Sequence, residues 1–366
     1  MASYIVITMV VLFSTASYAS DHSIAQDQLP PWIESNDFHV ADVVVAADGT
    51  GNFTKLADAL LSAPFQSTRR YVIHVKKGVY NEHVIVDDDK WNIVMIGDGM
   101  DATIITGSLS QGHDHVSTPD TATFSVLGRR FIGQDMSFEN TAGAFNGQAV
   151  ALFSTSDQSV FYRCGISGYQ DSLCPDSGRQ YYRECIIRGS ADFIFGRAAA
   201  VFQYCQILVR KGSTNQNPIT AQGGPRGNET TFGFTFQFCN ISADLDLIPY
   251  IGSIRTYLGR PWQNYSRTIF MECQINEVVD PEGWLKWGGT DHAQSTLFYA
   301  EYKNHGLGAG VQKRVKWPGY HVFTHPKQAL NFTVAHLISG YYWLPSTGIP
   351  FTPYFGVGGG NNSKGK

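Results

Sequence analysis

Five times along this chain an aromatic-rich run ends in a cysteine that is followed two residues later by isoleucine. The runs are VFYRCGI, QYYRECII, VFQYCQI, TFQFCNI and TIFMECQI, carrying Cys164, Cys185, Cys205, Cys239 and Cys273. MSF at 136–138 extends the series backwards with Met136 in the cysteine place, and the successive spacings are 28, 21, 20, 34 and 34 residues. A period near 20 with longer members suits a coil of three short strands whose turns carry insertions. Coils of that kind stack into a single-stranded parallel β-helix, where like residues fall into internal ladders. An antiparallel sandwich also needs many short strands, but it does not return the same residue at the same phase. The expected class is therefore all-β.

The rest of the chain agrees. Charged residues are only 16%, whereas Gly (37), Tyr (18) and Phe (23) are abundant, a balance that favours strands and turns. YVIHVKKGVY, HVIVDDD, WNIVMIGDG, TIITGS, ATFSVLG and RFIGQDMSF are short β-rich runs parted by Gly, Asp and Asn. Only residues 54–63, TKLADALLSA closed by Pro64, space their apolar residues as a helix does, so one short N-terminal helix is expected. A net charge of −4 gives no basis for nucleic-acid binding or for charge-driven adhesion to a polyanion.

Residues 1–19 read as a secretory signal, an apolar run followed by small residues, and 20–39 as an exposed arm with a Pro30–Pro31 step. The folded domain is expected over 40–352, with a flexible Gly/Asn-rich tail over 353–366 and no long pro-region before the domain. No later run is long enough to span a bilayer. Six sequons, at Asn52, Asn228, Asn240, Asn264, Asn331 and Asn361, fit secretion, although Asn240 sits inside an apolar strand pattern and is expected to be too buried for modification.

The repeat also carries chemistry. Asp171 and Asp192 each follow a cysteine by seven residues, so both pairs are offset by 21. If Cys164 stacks on Cys185, the two aspartates become neighbours at about the 4.8 Å spacing of parallel strands. Two carboxylates that close cannot both ionise easily, and one is left protonated as an acid while the other stays a base or nucleophile. The plain alternative is a pair of turn aspartates capping backbone amides. Against it, Asp192 lies in ADFIFG, an apolar setting in which a carboxylate is costly. Gln148 and Gln170 bring amide donors of the kind that stabilise an oxyanion, and Arg260 brings a fixed cation able to hold one carboxylate ionised. Trp262, Trp284 and Trp287 offer flat faces suited to sugar rings.

In this compartment inward-facing cysteines in register could pair, with Cys164–Cys185 and Cys205–Cys239 both one coil apart. Cys174 is off the register. The absence of a C-x-x-C pattern argues against metal ligation by cysteine, and His113-Asp-His115 is expected to be a solvated loop.

The motifs GVYNE (78–82), QAVAL (148–152), GYQDSL (168–173), DFIFG (192–196) and LGRPW (258–262) resemble those of the plant pectin methylesterase (pectinesterase) family. The similarity continues through GWLKWGG, TLFYAEYKNHGLGA, RVKWPGY and WLPSTGIPF, roughly residues 40 to 352. It implies a right-handed parallel β-helix that removes methyl esters from pectin, with no metal or cofactor. Carried over by motif, it implies Asp192 as nucleophile held by Arg260, Gln148 and Gln170 at the oxyanion, and Asp171 as acid and then base. Trp262, Trp284, Tyr169 and Phe195 would bind substrate. It implies a monomer in the cell wall whose partners are pectin and a proteinaceous pectinesterase inhibitor, with no nucleic acid and no membrane. It also implies a Cys205–Cys239 disulfide, and it leaves Cys164 facing Met136 where the family often has a bridge.

The chain departs from the family pattern beside the chemistry. Ser172 replaces Thr, Cys174 replaces Tyr, Asp176 takes a His place, and Ala191 is smaller than the usual Val. An acidic Asp176 is expected to weaken binding of de-esterified, anionic pectin. The changed loop is the one feature that favours the alternative of a catalytically impaired pectin-binding homologue. A glycosidase or lyase on the same fold is disfavoured by QAVAL and DFIFG, and a serine esterase by the lack of G-x-S-x-G.

Overall fold

A computed structural model describes residues 41–225, 227 and 231–356. The expected signal segment, the arm, most of the expected tail, and sequons Asn228 and Asn361 lie outside them. The described residues form three parallel sheets of eleven, seven and eight strands, visited in turn by each coil of a parallel β-helix.

The cysteine series is a true ladder. Gly165 pairs with both Ser137 and Ile186, Ile186 with Gln206, Gln206 with Asn240, and Asn240 with Gln274. Met136, Cys164, Cys185, Cys205, Cys239 and Cys273 therefore occupy one column, and all six are buried. Beside it runs an aromatic column, Phe161, Tyr182, Phe202, Phe236 and Phe270, with ring centroids 5.0, 4.7, 4.6 and 4.5 Å apart. Each stacked pair adds about 0.5–1.5 kcal/mol beyond area burial. The residue before each column member, from Asp135 through Arg163, Glu184, Tyr204 and Phe238 to Glu272, has positive φ of 50–56°. That left-handed residue turns each coil from the eleven-stranded into the eight-stranded sheet.

All six cysteines are free thiols, so the Cys205–Cys239 bridge is not formed. Residues in register on parallel strands project side by side about 4.8 Å apart, whereas a disulfide needs the two Cβ atoms turned toward each other at about 3.8 Å. The thiols point at backbone instead, Cys239 Sγ lying 3.3 Å from the Phe202 carbonyl oxygen.

The expected helix runs Leu56–Ser62 and covers the first coil with Leu56, Ala59 and Leu60. Its free N-terminal amides of Leu56 and Ala57 donate to the Glu82 carboxylate at 3.1 and 3.3 Å. It is not the only helix. Four-residue helices occur at Gln111–Asp114, Pro326–Ala329 and Val334–Leu337. They are too short to show helical periodicity; buried residues anchor the last two, and the Ser110 hydroxyl, accepting from the His113 amide at 3.3 Å, caps the first. Val334, Leu337, Ile338, Trp343 and Leu344 form a second core against Val94, Ile132, Val160, Tyr181 and Val201 on the outer face of the eleven-stranded sheet. The expected tail is also anchored at its start. Gln237 Nε2 donates to the Tyr354 carbonyl at 2.6 Å, and the Gly356 amide donates to Glu272 at 3.2 Å. Asn240 is half-buried, with its side-chain amide bonded to Gln206 on one side and Asn276 on the other. Among the described residues no helix is long and apolar enough to cross a membrane.

Candidate active site

The seven-stranded sheet builds the site. Its strands Leu152–Ser154, Leu173–Pro175, Ile194–Gly196 and Gln216–Gln222 are consecutive neighbours, with Phe153 opposite Cys174 and Phe195 opposite Ala221. Leu152, Leu173 and Ile194 join the main core. Phe153, Cys174, Phe195 and Ala221 form the floor of a cleft of about 470 Å³. Trp262 and Trp287 pack against that floor.

Asp171 and Asp192 enter the cleft from the turns that precede two adjacent strands. Leu173 pairs with Ile194, so the offset of 21 is the register itself. Both aspartates have positive φ, 63° and 50°, a conformation that Asp tolerates better than most residues. The Asp171 amide donates to the Ala191 carbonyl at 3.1 Å and the Asp192 amide to the Pro218 carbonyl at 2.7 Å, which fixes each turn to the next coil. Arg260 follows the strand Arg255–Gly259 and reaches Asp192 through two parallel bonds, Nε to Oδ1 at 2.8 Å and Nη2 to Oδ2 at 2.5 Å. Its guanidinium lies over the Trp287 ring, 4.5 Å from the centroid.

These surroundings divide the two carboxyls. Burial pushes Asp171 well above the ordinary carboxylate range, the Asp192 charge pushes it further, and only the Arg260 charge opposes. Burial also raises Asp192, but there a direct bond from Arg260 and its charge both pull downward. One proton shared between them therefore resides on Asp171, and Asp192 is the ionised member. Gln148 and Gln170 line the same cleft, and among the described residues neither side-chain amide has a hydrogen-bond partner. They are held by their backbones, the Gln148 carbonyl accepting from Gln111 and the Gln170 carbonyl from Ala149.

Two expected substrate contacts fall elsewhere. Trp284 is 1% exposed and stacks on Tyr299 at 4.1 Å, so it is a core residue, and Trp287 takes the place in the cleft. Trp284 is drawn inward because it bridges Gly259 of the sheet edge. Tyr169 does not line the cleft; its ring lies beneath Arg210 at 3.9 Å and its hydroxyl accepts from Arg210 Nη2 at 2.6 Å. Trp262 and Phe195 do line it, meeting edge to face at 6.2 Å. Gly223 permits this, since a Cβ there would lie 2.8 Å from the indole.

Thr118, Pro119, Phe153 and Arg197 also line the cleft, and sequence reasoning did not single them out. Thr118 and Pro119 belong to a loop tied down by buried Asn140, whose amide lies 2.9–3.1 Å from the carbonyls of Leu109, Thr121 and Val150. In that loop the His113 side chain is largely exposed, with Nδ1 3.1 Å from Asp114. Among the described residues no group of three or more His, Cys, Asp or Glu is placed to hold a metal ion. Ala191 carries the backbone contact to Asp171 but does not line the cleft.

Comparison with known proteins follows the same lines. A family profile described as Pectinesterase matches residues 42–341. A Prunus persica protein named as a pectinesterase/pectinesterase inhibitor is 55% identical over 339 residues, covering 90% of this chain and 64% of that one. An Arabidopsis thaliana protein named as a probable pectinesterase/pectinesterase inhibitor is 55% identical over 333 residues, covering 88% of this chain and 63% of its own length. This chain thus spans just under two thirds of the length of these relatives. Among solved structures, a carrot pectin methylesterase superposes with a TM-score of 0.84 at 45% identity, over 86% of this chain and 98% of that one. An Aspergillus niger pectin methylesterase superposes with a TM-score of 0.70 at 28% identity, over 82% and 95% of the two chains. A profile match across most of the coiled domain, with relatives this similar over nearly all of it, makes the chain a member of the pectinesterase family.

Proposed function

We propose that this chain hydrolyses the methyl esters of pectin, releasing methanol and leaving galacturonate carboxylates on the polymer. The observation that carries the reading is the divided carboxylate pair. Asp192 is buried and held by two bonds to Arg260, and Asp171 beside it has its proton retained by burial. An Asp192 oxygen attacks the ester carbonyl carbon, and the amides of Gln148 and Gln170 donate to the oxyanion that forms. As the tetrahedral adduct collapses, the bond to the methoxy oxygen breaks and Asp171 gives that oxygen its proton, so methanol leaves. The resulting acyl anhydride is attacked by water, whose proton returns to Asp171. The second collapse breaks the bond to the Asp192 oxygen, which restores the Asp192 carboxylate and frees the polymer as a carboxylic acid that gives its proton to solvent. Trp262, Trp287 and Phe195 hold sugar rings alongside. All atoms balance without a co-reactant other than water.

The chain is further proposed to act outside the cell, in the wall, and to be regulated by a proteinaceous inhibitor. The signal-like segment 1–19 and the sequons support the first, and the relatives' names support the second. Methanol and new reducing ends measured side by side on methyl-esterified pectin test the activity. Methanol without reducing ends is expected; reducing ends without methanol would replace the esterase by a glycosidase, and neither would leave a pectin-binding protein.

A further inference from the structure

The offset that joins Asp171 to Asp192 also joins Asp176 to Arg197, at the opposite ends of the same two strands. Asp176 follows Leu173–Pro175 and Arg197 follows Ile194–Gly196. Gly196 makes the approach possible. Its φ is +126°, and a Cβ there would lie 2.3 Å from the Pro175 carbonyl oxygen. Arg197 Nη1 donates to Asp176 Oδ1 at 2.8 Å, and the two side chains are 23% and 11% exposed. The guanidinium is fixed on two further sides, its Nε donating to Gln263 Oε1 at 3.4 Å and its plane lying over Trp262 at 4.7 Å. Both residues line the cleft that holds the catalytic carboxyls, on the far side of Cys174 and Phe195 from them. Asp176 is five positions after Asp171, so their Cα atoms are at most about 18 Å apart, within reach of one polymer chain.

Resting on the esterase reading, we propose that Asp176 and Arg197 together set the charge preference of a second subsite, which receives a sugar unit next to the one undergoing hydrolysis. Arg197 alone would be a carboxylate receptor: a planar cation facing the cleft beside a tryptophan suited to a sugar ring. Asp176 occupies that cation. With Arg197 so occupied, the subsite accepts a methyl-esterified unit without gaining affinity for the anionic unit that the reaction leaves behind. Asp176 thus does not repel product, as its charge alone would suggest; it stops Arg197 from capturing product.

The test uses pectins of high and low methyl-ester content at constant ionic strength, with the full chain and three variants. In Asp176→Asn the freed arginine raises the ratio of kcat/KM on low-ester to high-ester pectin roughly two- to fivefold, the range for a partly exposed ion pair. It also strengthens inhibition by fully de-esterified polygalacturonate, and added salt reverses the gain. Arg197→Gln moves both readouts the other way, and the double variant returns to within about twofold of the parent. A merely structural bridge would move both single variants in one direction, or neither, and either result overturns the proposal. If Asp176→Asn does not accumulate, Asp176→Ala carries the same charge change. Should the parent chain release no methanol, the esterase reading falls by itself. Calorimetric binding of polygalacturonate to the parent and Asp176→Asn then decides the charge rule, with equal affinities overturning it.

Discussion

At one end of the strands Leu173–Pro175 and Ile194–Gly196 the coil offset brings Asp171 to Asp192; at the other it brings Asp176 to Arg197. Strand spacing, sheet and cleft are common to both pairs. The like pair cannot be satisfied internally, so it needs a third residue, Arg260, and the result is one carboxyl that keeps its proton and one that does not. The unlike pair closes on itself through the 2.8 Å bond from Arg197 to Asp176. Each arginine also lies over an indole, Arg260 over Trp287 and Arg197 over Trp262. The coil supplies proximity, and the charges placed on it decide whether proximity becomes chemistry or selectivity.

The strongest break in that comparison is Asp192→Asn. It removes the nucleophile and is expected to lower methanol release about 10⁴-fold or more, whereas Asp176→Asn lowers turnover on high-ester pectin by about tenfold at most. Comparable losses would mean that the two pairs share the chemistry. Asp171→Asn comes next, with a loss of about 10²- to 10⁴-fold, because methoxide then leaves without a proton. Its pH profile separates the roles further. The parent needs Asp192 ionised and Asp171 protonated, so activity is bounded on the acid side by the first and on the basic side by the second. The residual activity of Asp171→Asn should lack the basic boundary.

A smaller effect distinguishes the two indoles. Trp287→Leu removes a cation–π contact of about 0.5–2 kcal/mol from Arg260, loosening its hold on Asp192. Since Arg260 pulls the Asp192 carboxyl downward, the acid boundary of kcat/KM should move to higher pH with a roughly two- to thirtyfold loss of rate. Trp262→Leu acts on Arg197 and on sugar stacking, so KM should rise while the acid boundary stays in place. A shift with both variants would erase the distinction between the pairs.

Much of this was legible in the sequence because a β-helix writes its registers as spacings. The cysteine column, Met136 included, and the meeting of Asp171 with Asp192 all follow from counting residues. Arg260, 68 residues beyond Asp192, could not be placed by counting, since insertions of unequal length intervene. Arg197 is legible by counting, for it follows Asp176 by the same 21 residues, but a cation at the end of the apolar DFIFGR run does not by itself mark a cleft residue, since a long side chain there can equally reach solvent. The tryptophans were not separable. Trp284 and Trp287 are three residues apart, and which one faces the cleft depends on the Trp284 bridge to Gly259 and on Gly288 turning with φ of 55°. Tyr169 lies away from the cleft because its partner, Arg210, comes from another coil, which no local motif shows. The short C-terminal helices carry no periodicity of their own and are held by the sheet they cover.

The subtlest consequence concerns stability, where one substitution made five residues apart should act with opposite signs. In the unfolded chain Asp171 loses its proton near the ordinary carboxylate value of 3.8, but in the fold it keeps it to higher pH. Between those two values the folded state binds more protons, so stability falls as pH rises through that window. Asn has no such proton to lose. Asp171→Asn should therefore melt a few degrees above the parent at pH 7 and together with it near pH 3, although it is nearly inactive. Asp176→Asn instead strips a half-buried guanidinium of its carboxylate, at a cost of about 1 kcal/mol, and should melt below the parent at pH 7. Thermal melts of both variants at the two pH values check the signs. If Asp171→Asn melted lower at pH 7, the carboxyl would be ionised and stabilising in the fold, and the division of the proton between Asp171 and Asp192 would have to be reversed.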